Sequence, residues 1–275
     1  MPTLTGIRVV TTAVNVPGPV AAALLRDMGA TIVKIEPPFG DPLAAAAPAW
    51  YAELCAGVDV RILDLKSAQG REHLEQLLDE ADLLLTATRP SSLERLGLSW
   101  TPLHARFPRL CQVAIVGYPT PRQDEAGHDL TYQADAGLVA PPAMPKTLVA
   151  DLSGAQRAVI AALGLLLSRA RETAAGYVEV ALSDAASLFS EPLRHGLTQA
   201  AGWLGGGAAT YGIYPAREGW VAVAALEPQF RAALARELGI DIDDREAVAR
   251  TLATRTAEEW DAWGRECGLP LCRCP

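Results

Sequence analysis

Two short stretches hold side chains that can move protons. Ala126-Gly127-His128-Asp129-Leu130-Thr131-Tyr132 sets an imidazole beside a glycine, where bare backbone lets a ligand come close. Val149-Ala150-Asp151-Leu152-Ser153-Gly154 sets a carboxylate at the mouth of a long apolar run. A histidine and an aspartate facing one pocket can take a proton from one side and return it on the other. Each also has a plainer reading. His128 fits an ordinary loop residue, and Asp151 or Ser153 fits a helix N-cap whose following N–H groups stay free. Glu227, ahead of Pro228, fits a carboxylate placed at a helix start by the dipole.

Such a pair needs a rigid frame, and the chain supplies one. Gly6–Thr12 is short and β-branched, a buried strand. Val20–Met28 carries apolar residues at helical spacing, with Gly29 as its stop, and Thr31–Glu36 is a second strand. Strand, helix and strand within about 30 residues make a βαβ unit with a right-handed crossover. Further strands are expected at Val60–Leu65, Asp82–Thr86, Leu110–Val116 and Gly176–Ala181, and helices at Ser67–Asp79, Ser92–Leu96, Leu103–Arg106 and Asp151–Arg171. This is an α/β chain with a doubly wound parallel sheet, whose ligands sit beyond the carboxyl ends of the strands. Arg89 and Gly117–His128 fall at such ends. The first turn lacks G-x-G-x-x-G, which counts against a nicotinamide or flavin enzyme.

A composition shift at Gly202–Gly207 marks a linker. Beyond it, strands at Tyr211–Tyr214 and Trp220–Ala224 and helices at Pro228–Leu238, Arg245–Ala253 and Ala257–Cys267 make a smaller α+β domain. The division is placed at residues 1–200 and 201–275.

The 275 residues are 50% hydrophobic with a net charge of −8, and the pI is about 5.1. That balance argues against nucleic acid or an anionic membrane as a partner. The N-terminus reads as no signal peptide, and no apolar run reaches roughly 18 residues, so no spanning helix is expected. Cys267, Cys272 and Cys274 lack the paired spacing or histidine partners of a zinc site, so no metal is expected. The five cysteines read as free thiols in a reducing, cytoplasmic setting.

The chain resembles the family III CoA-transferases (CaiB/BaiF), which include the α-methylacyl-CoA racemases. The resemblance runs through Leu4–Val10, Asp27–Ala30, Val33–Glu36, Gly40-Asp41, Asp64–Ser67, Arg89-Pro90, Glu94–Leu98, Ala126–Asp129 and Glu227–Phe230. It implies a Rossmann-like large domain, a small domain and an interlocked homodimer, acting on the thioester of coenzyme A with no tightly bound cofactor. Gly127-His128-Asp129 looks like the racemase branch, where Asp151 would be the second base and Glu227 the support of the histidine. In the transferase branch Asp151 would be the nucleophile. The resemblance assigns Lys34, Leu63, Lys66, Arg89, Arg95, Gly127, Asp129 and Tyr132 to the CoA side of the site.

The chain departs from the family at four places. Pro37 stands where relatives carry a phosphate-holding arginine, Ala56–Asp59 has no cation, the loop after Gly117 is short, and the family's C-terminal return to the large domain is expected to be missing. Three functions are therefore expected in order: an acyl-CoA racemase working by 1,1-proton transfer on a 2-methylacyl-CoA; a CoA-transferase that forms an aspartyl-CoA thioester at Asp151; and a non-catalytic acyl- or partner-binding member.

Overall fold

The computed structural model describes residues 2–171 and 175–275; Met1, at the head of the N-terminal stretch, lies outside the described residues. Two compact units divide at Ser190/Glu191.

The first unit is built on a six-stranded parallel sheet. Its strands are β1 (Arg8–Thr11), β2 (Thr31–Glu36), β3 (Asp59–Ile62), β4 (Leu83–Thr86), β5 (Cys111–Val116) and β6 (Tyr177–Ala181), in the order β3-β2-β1-β4-β5-β6. The chain winds outward from β1 through β2 to β3, then returns to β4 and winds the other way. The helices are α1 (Pro17–Asp27), α2 (Pro42–Ala46), α3 (Pro48–Cys55), α4 (Ala68–Asp79), α5 (Pro90–Arg95), α6 (Trp100–Arg106), α7 (Asp129–Asp135), α8 (Val149–Ala170) and α9 (Leu182–Arg194), the last of which contains the division between the units.

Central strands are buried on both faces, so they read as unbroken apolar runs. Leu83 and Leu85 join Val9, Val113 and Ile115 in one core layer with Leu25 of α1 and the alanines of α8. Leu84, between them, turns the other way to join Val10, Leu74, Leu78 and Leu103 under α4 and α6. Period-two alternation thus feeds two layers from one strand. Truncating Leu84 to alanine removes atoms from both the strand and the layer beneath, a loss of about 2–5 kcal/mol.

Helix α8 spans 22 residues, longer than the alanine-rich run inside it, and is long and apolar enough to cross a membrane. Half of its apolar window is buried. Ala150, Ala155, Ala158 and Ala162 lie in the sheet's core layer, where small side chains let helix and sheet approach closely.

The second unit pairs β7 (Tyr211–Pro215), β8 (Trp220–Ala224) and β9 (Leu271–Arg273) as an antiparallel sheet. Helices α10 (Pro228–Leu238), α11 (Arg245–Leu252) and α12 (Ala257–Cys267) accompany it. Trp260 centres the core, and its indole N–H donates to the Leu252 carbonyl at 2.7 Å. Residues Gly202–Gly207 are not an open linker: the Gly207 N–H reaches the Gly202 carbonyl at 2.8 Å in a wide helical turn within this unit.

Candidate active site

A cavity of about 230 Å³ opens at the carboxyl ends of β1, β4 and β5, where the winding of the sheet reverses. Val14 and Asn15 line it from the loop after β1, Ala87 and Arg89 from the loop after β4, and Gly117 from the end of β5. His128 and Asp151 both line it.

His128 is the N-cap of α7 in extended backbone. Its N–H donates to the Thr131 hydroxyl at 3.0 Å, and that hydroxyl donates back to the His128 carbonyl at 2.8 Å. This fixes the backbone and leaves the imidazole exposed. That exposure is also what the plainer reading of His128 as a loop residue expects.

Asp151 is not an N-cap, and neither is Ser153. Helix α8 begins two residues earlier, at Val149, with Leu148 ahead of it, and the Ser153 hydroxyl turns back to the Val149 carbonyl at 2.5 Å. The Asp151 N–H is instead taken by the Asp129 carboxylate at 3.0 Å, and the Leu152 N–H by the Leu148 carbonyl at 3.0 Å. Those two donors are therefore spent, and the expected free N–H groups after Asp151 are not found there. The Asp151 carboxyl is 8% exposed and enters no ion pair among the described residues. Burial, and secondarily the nearby Asp129 charge, push its pKa up to about 7.

Tyr132 is wedged between two glycines. A Cβ at Gly117 would lie 2.3 Å from its hydroxyl, and one at Gly127 would lie 2.4 Å from its ring. The bare backbone of Gly127 thus accommodates Tyr132, which fills the space first read as an approach for a ligand. Tyr118 packs edge-on to the same ring at 5.1 Å. Burial is the main force that pushes the Tyr132 phenol up to about 12.

A second, larger cleft of about 640 Å³ lies over the ends of β1 and β2, lined mainly by apolar side chains with Leu63, Lys66 and Glu36 among them. Val14 lines both spaces.

Three of the residues assigned to the CoA side are corrected by the structure. Lys34 is 1% exposed: its ammonium pairs with Glu36 and, at 2.8 Å, with Asp41, so it has no reach to a phosphate. Arg95 turns its guanidinium to the Ser92 hydroxyl at 2.7 Å and lines a separate cleft with Arg71 and Arg106. Asp129 is buried, with one oxygen on the Asp151 N–H and the other accepting from the Gln133 amide. Arg89 is placed at the His128–Asp151 cavity, not in the cleft with Lys66.

Glu227 lies in the second unit as the exposed N-cap of α10, with no capping hydrogen bond of its own. The sequence did not single out Asn15, whose left-handed φ of 71° and N–H bond to Asp41 at 2.8 Å hold the loop between the two spaces. Its signal was an asparagine ahead of Val-Pro-Gly at a strand end, a position asparagine tolerates better than other residues.

The chain belongs to the CoA-transferase family III, whose model matches residues 4–274. It is 32% identical over 202 residues to a probable fatty acyl-CoA transferase of Mycobacterium tuberculosis, covering 66% of this chain and 51% of that protein. It is 28% identical over 290 residues to the human alpha-methylacyl-CoA racemase, covering 94% of this chain and 74% of that protein. A crystal structure of the mycobacterial protein Rv3272 superposes with a TM-score of 0.84 at 28% identity, covering 98% of this chain and 83% of that chain. The chain spans about half the length of the first curated relatives it matches.

Proposed function

We propose that the chain is an acyl-CoA racemase, exchanging the proton α to a thioester between His128 and Asp151. The observation that carries this reading is the pair's setting. An exposed imidazole and a dry, unpaired carboxyl with a pKa raised to about 7 line one cavity. A carboxyl of that kind can both give and take a proton near neutral pH. One group removes the α proton, the thioester carries the charge as an enolate, and the other group returns a proton to the opposite face. No atom is gained or lost.

The CoA portion is assigned to the apolar cleft with Leu63 and Lys66, and the thioester to the cavity past Val14, where Arg89, Gly127 and Tyr132 line the wall. Glu227 is assigned the support of the imidazole on the family resemblance alone. A 2-methylacyl-CoA incubated in heavy water is expected to take up deuterium at the α carbon. No uptake at high protein concentration would sink the reading.

The similarity to a probable fatty acyl-CoA transferase favours a second reading, in which Asp151 attacks the thioester and carries CoA. Transfer through Asp151 needs no proton partner and leaves His128 on the cavity wall without a role, which is why this reading stands second. Hydroxylamine added during turnover would tag Asp151 under it; an untagged Asp151 would count against it.

A further inference from the structure

We propose that Asp129 is a positioning residue of the proton-transfer site, its carboxylate tying the helix start that bears His128 to the helix start that bears Asp151. The proposal rests on the reading of His128 and Asp151 as the two proton carriers. Both sit one link from the same carboxylate: His128 through a peptide bond, Asp151 through the 3.0 Å hydrogen bond from its N–H. The second carboxylate oxygen accepts from the Gln133 amide, which also donates to the Thr147 carbonyl at 3.0 Å. Gln133 therefore ties α7 to the strand of chain just ahead of α8. Asp129 is 5% exposed, so solvent cannot replace either bond.

The arrangement has an electrostatic consequence. Apart from Asp129, the charged and titratable groups around Asp151 are His128, Tyr132, Arg89 and Glu125 on the cavity wall, with Tyr118 behind Tyr132. Among them, Asp129 is the one whose charge bears on Asp151, after burial itself. A like charge one hydrogen bond away disfavours ionisation of Asp151. The same carboxylate thus sets the position of one carrier's backbone and the ease with which that carrier holds its proton.

The test uses the full chain and three variants. Asp129→Asn keeps an oxygen for the Asp151 N–H but removes the charge; Asp129→Ala removes both; Asp151→Asn identifies the Asp151 signal by its loss. In carboxyl-carbon NMR, the Asp151 titration is expected to fall to lower pH in Asp129→Asn, on the order of one pH unit. The corresponding limb of the α-deuterium exchange profile is expected to move with it, with kcat falling more than KM rises. Asp129→Asn turns an NH2 group on the Gln133 amide and gives up that bond, so both variants are expected to lose thermal stability, Asp129→Ala the more.

A folded Asp129→Asn whose Asp151 titrates where the wild type does would overturn the proposal, even if its activity fell evenly at all pH values. A titration that moves in a protein with no exchange activity would instead support the tie and overturn the racemase reading. The two failures are thereby distinct.

Discussion

Two places in the first unit bury a pair of carboxylates, and they do opposite things with them. At the end of β2, Glu36 and Asp41 close on Lys34, and Tyr51 donates to Glu36 at 2.5 Å. At the starts of α7 and α8, Asp129 and Asp151 come together with no cation between them. The first arrangement matches charge with charge and serves as structure. Asp41 uses its remaining capacity on the N–H groups of Asn15 and Leu43, which shapes the loop beside the cavity. The second sets a carboxylate beside a buried carboxyl, and burial and that charge together raise the Asp151 pKa. Burial alone does not make a carboxyl reactive; burial without a matching cation does.

On the proposed reading, removing Asp151 gives the largest expected effect. Asp151→Asn should lower inversion at the α carbon by roughly 10²–10⁴-fold, the usual worth of a positioned acid–base group. His128→Gln should do the same from the other face of the substrate. Inversion surviving in either single variant would show that the cavity's carboxyl and imidazole are not partners.

Stripping the cation from the other pair should convert it toward the cavity's condition. Lys34→Met leaves two buried carboxylates uncompensated and should cost about 3–5 kcal/mol in denaturant unfolding at neutral pH. A loss below about 1.5 kcal/mol, the usual limit for a volume-conserving core swap, would mean that Lys34 matters only for packing.

The same contrast appears in the pH dependence of stability. The Asp151 pKa is raised in the folded chain from 3.8 to about 7, so the folded state holds a proton that the unfolded chain has released. Its contribution is complete below the unfolded value and is lost as pH rises through 7. Asp151→Asn should therefore unfold later than the wild type at pH 8, by on the order of a few kcal/mol, and at nearly the same point near pH 4. Wild type and variant tracking each other across that range would remove the strained carboxyl from the account.

The smallest effect expected lies in the wall between the pairs. Gly117→Ala should cost about 1–3 kcal/mol by overpacking against the Tyr132 hydroxyl. Tyr132→Phe should recover most of that cost, since the clash is with the hydroxyl. Gly127→Ala clashes with the ring itself, so Tyr132→Phe should not rescue it.

Much of this frame was legible in the sequence. The runs at Leu83–Leu85 and Cys111–Val116 and the long stretch around α8 carry enough apolar residues to announce themselves. Helices α2, α3 and α7, of five to eight residues, do not, because so short a segment shows no full period. His128 and Asp151 were legible as a pair through their motifs. The capping of Asp151 was not, since its partner lies 22 positions earlier in the chain. Lys34 misled for a related reason: a lysine in a strand reads as an exposed cation until Asp41, from the following loop, folds over it.

Gly117, Gly127 and Tyr132 occupy three separate places in the chain yet make a single choice. A side chain at Gly117 meets the tyrosine hydroxyl and one at Gly127 meets its ring, and a smaller residue at position 132 leaves a void that neither glycine can fill. Any redesign of this wall therefore has to change the three together. Varied one at a time, each of these positions will look intolerant; varied as a set, they form one adjustable panel of the cavity wall.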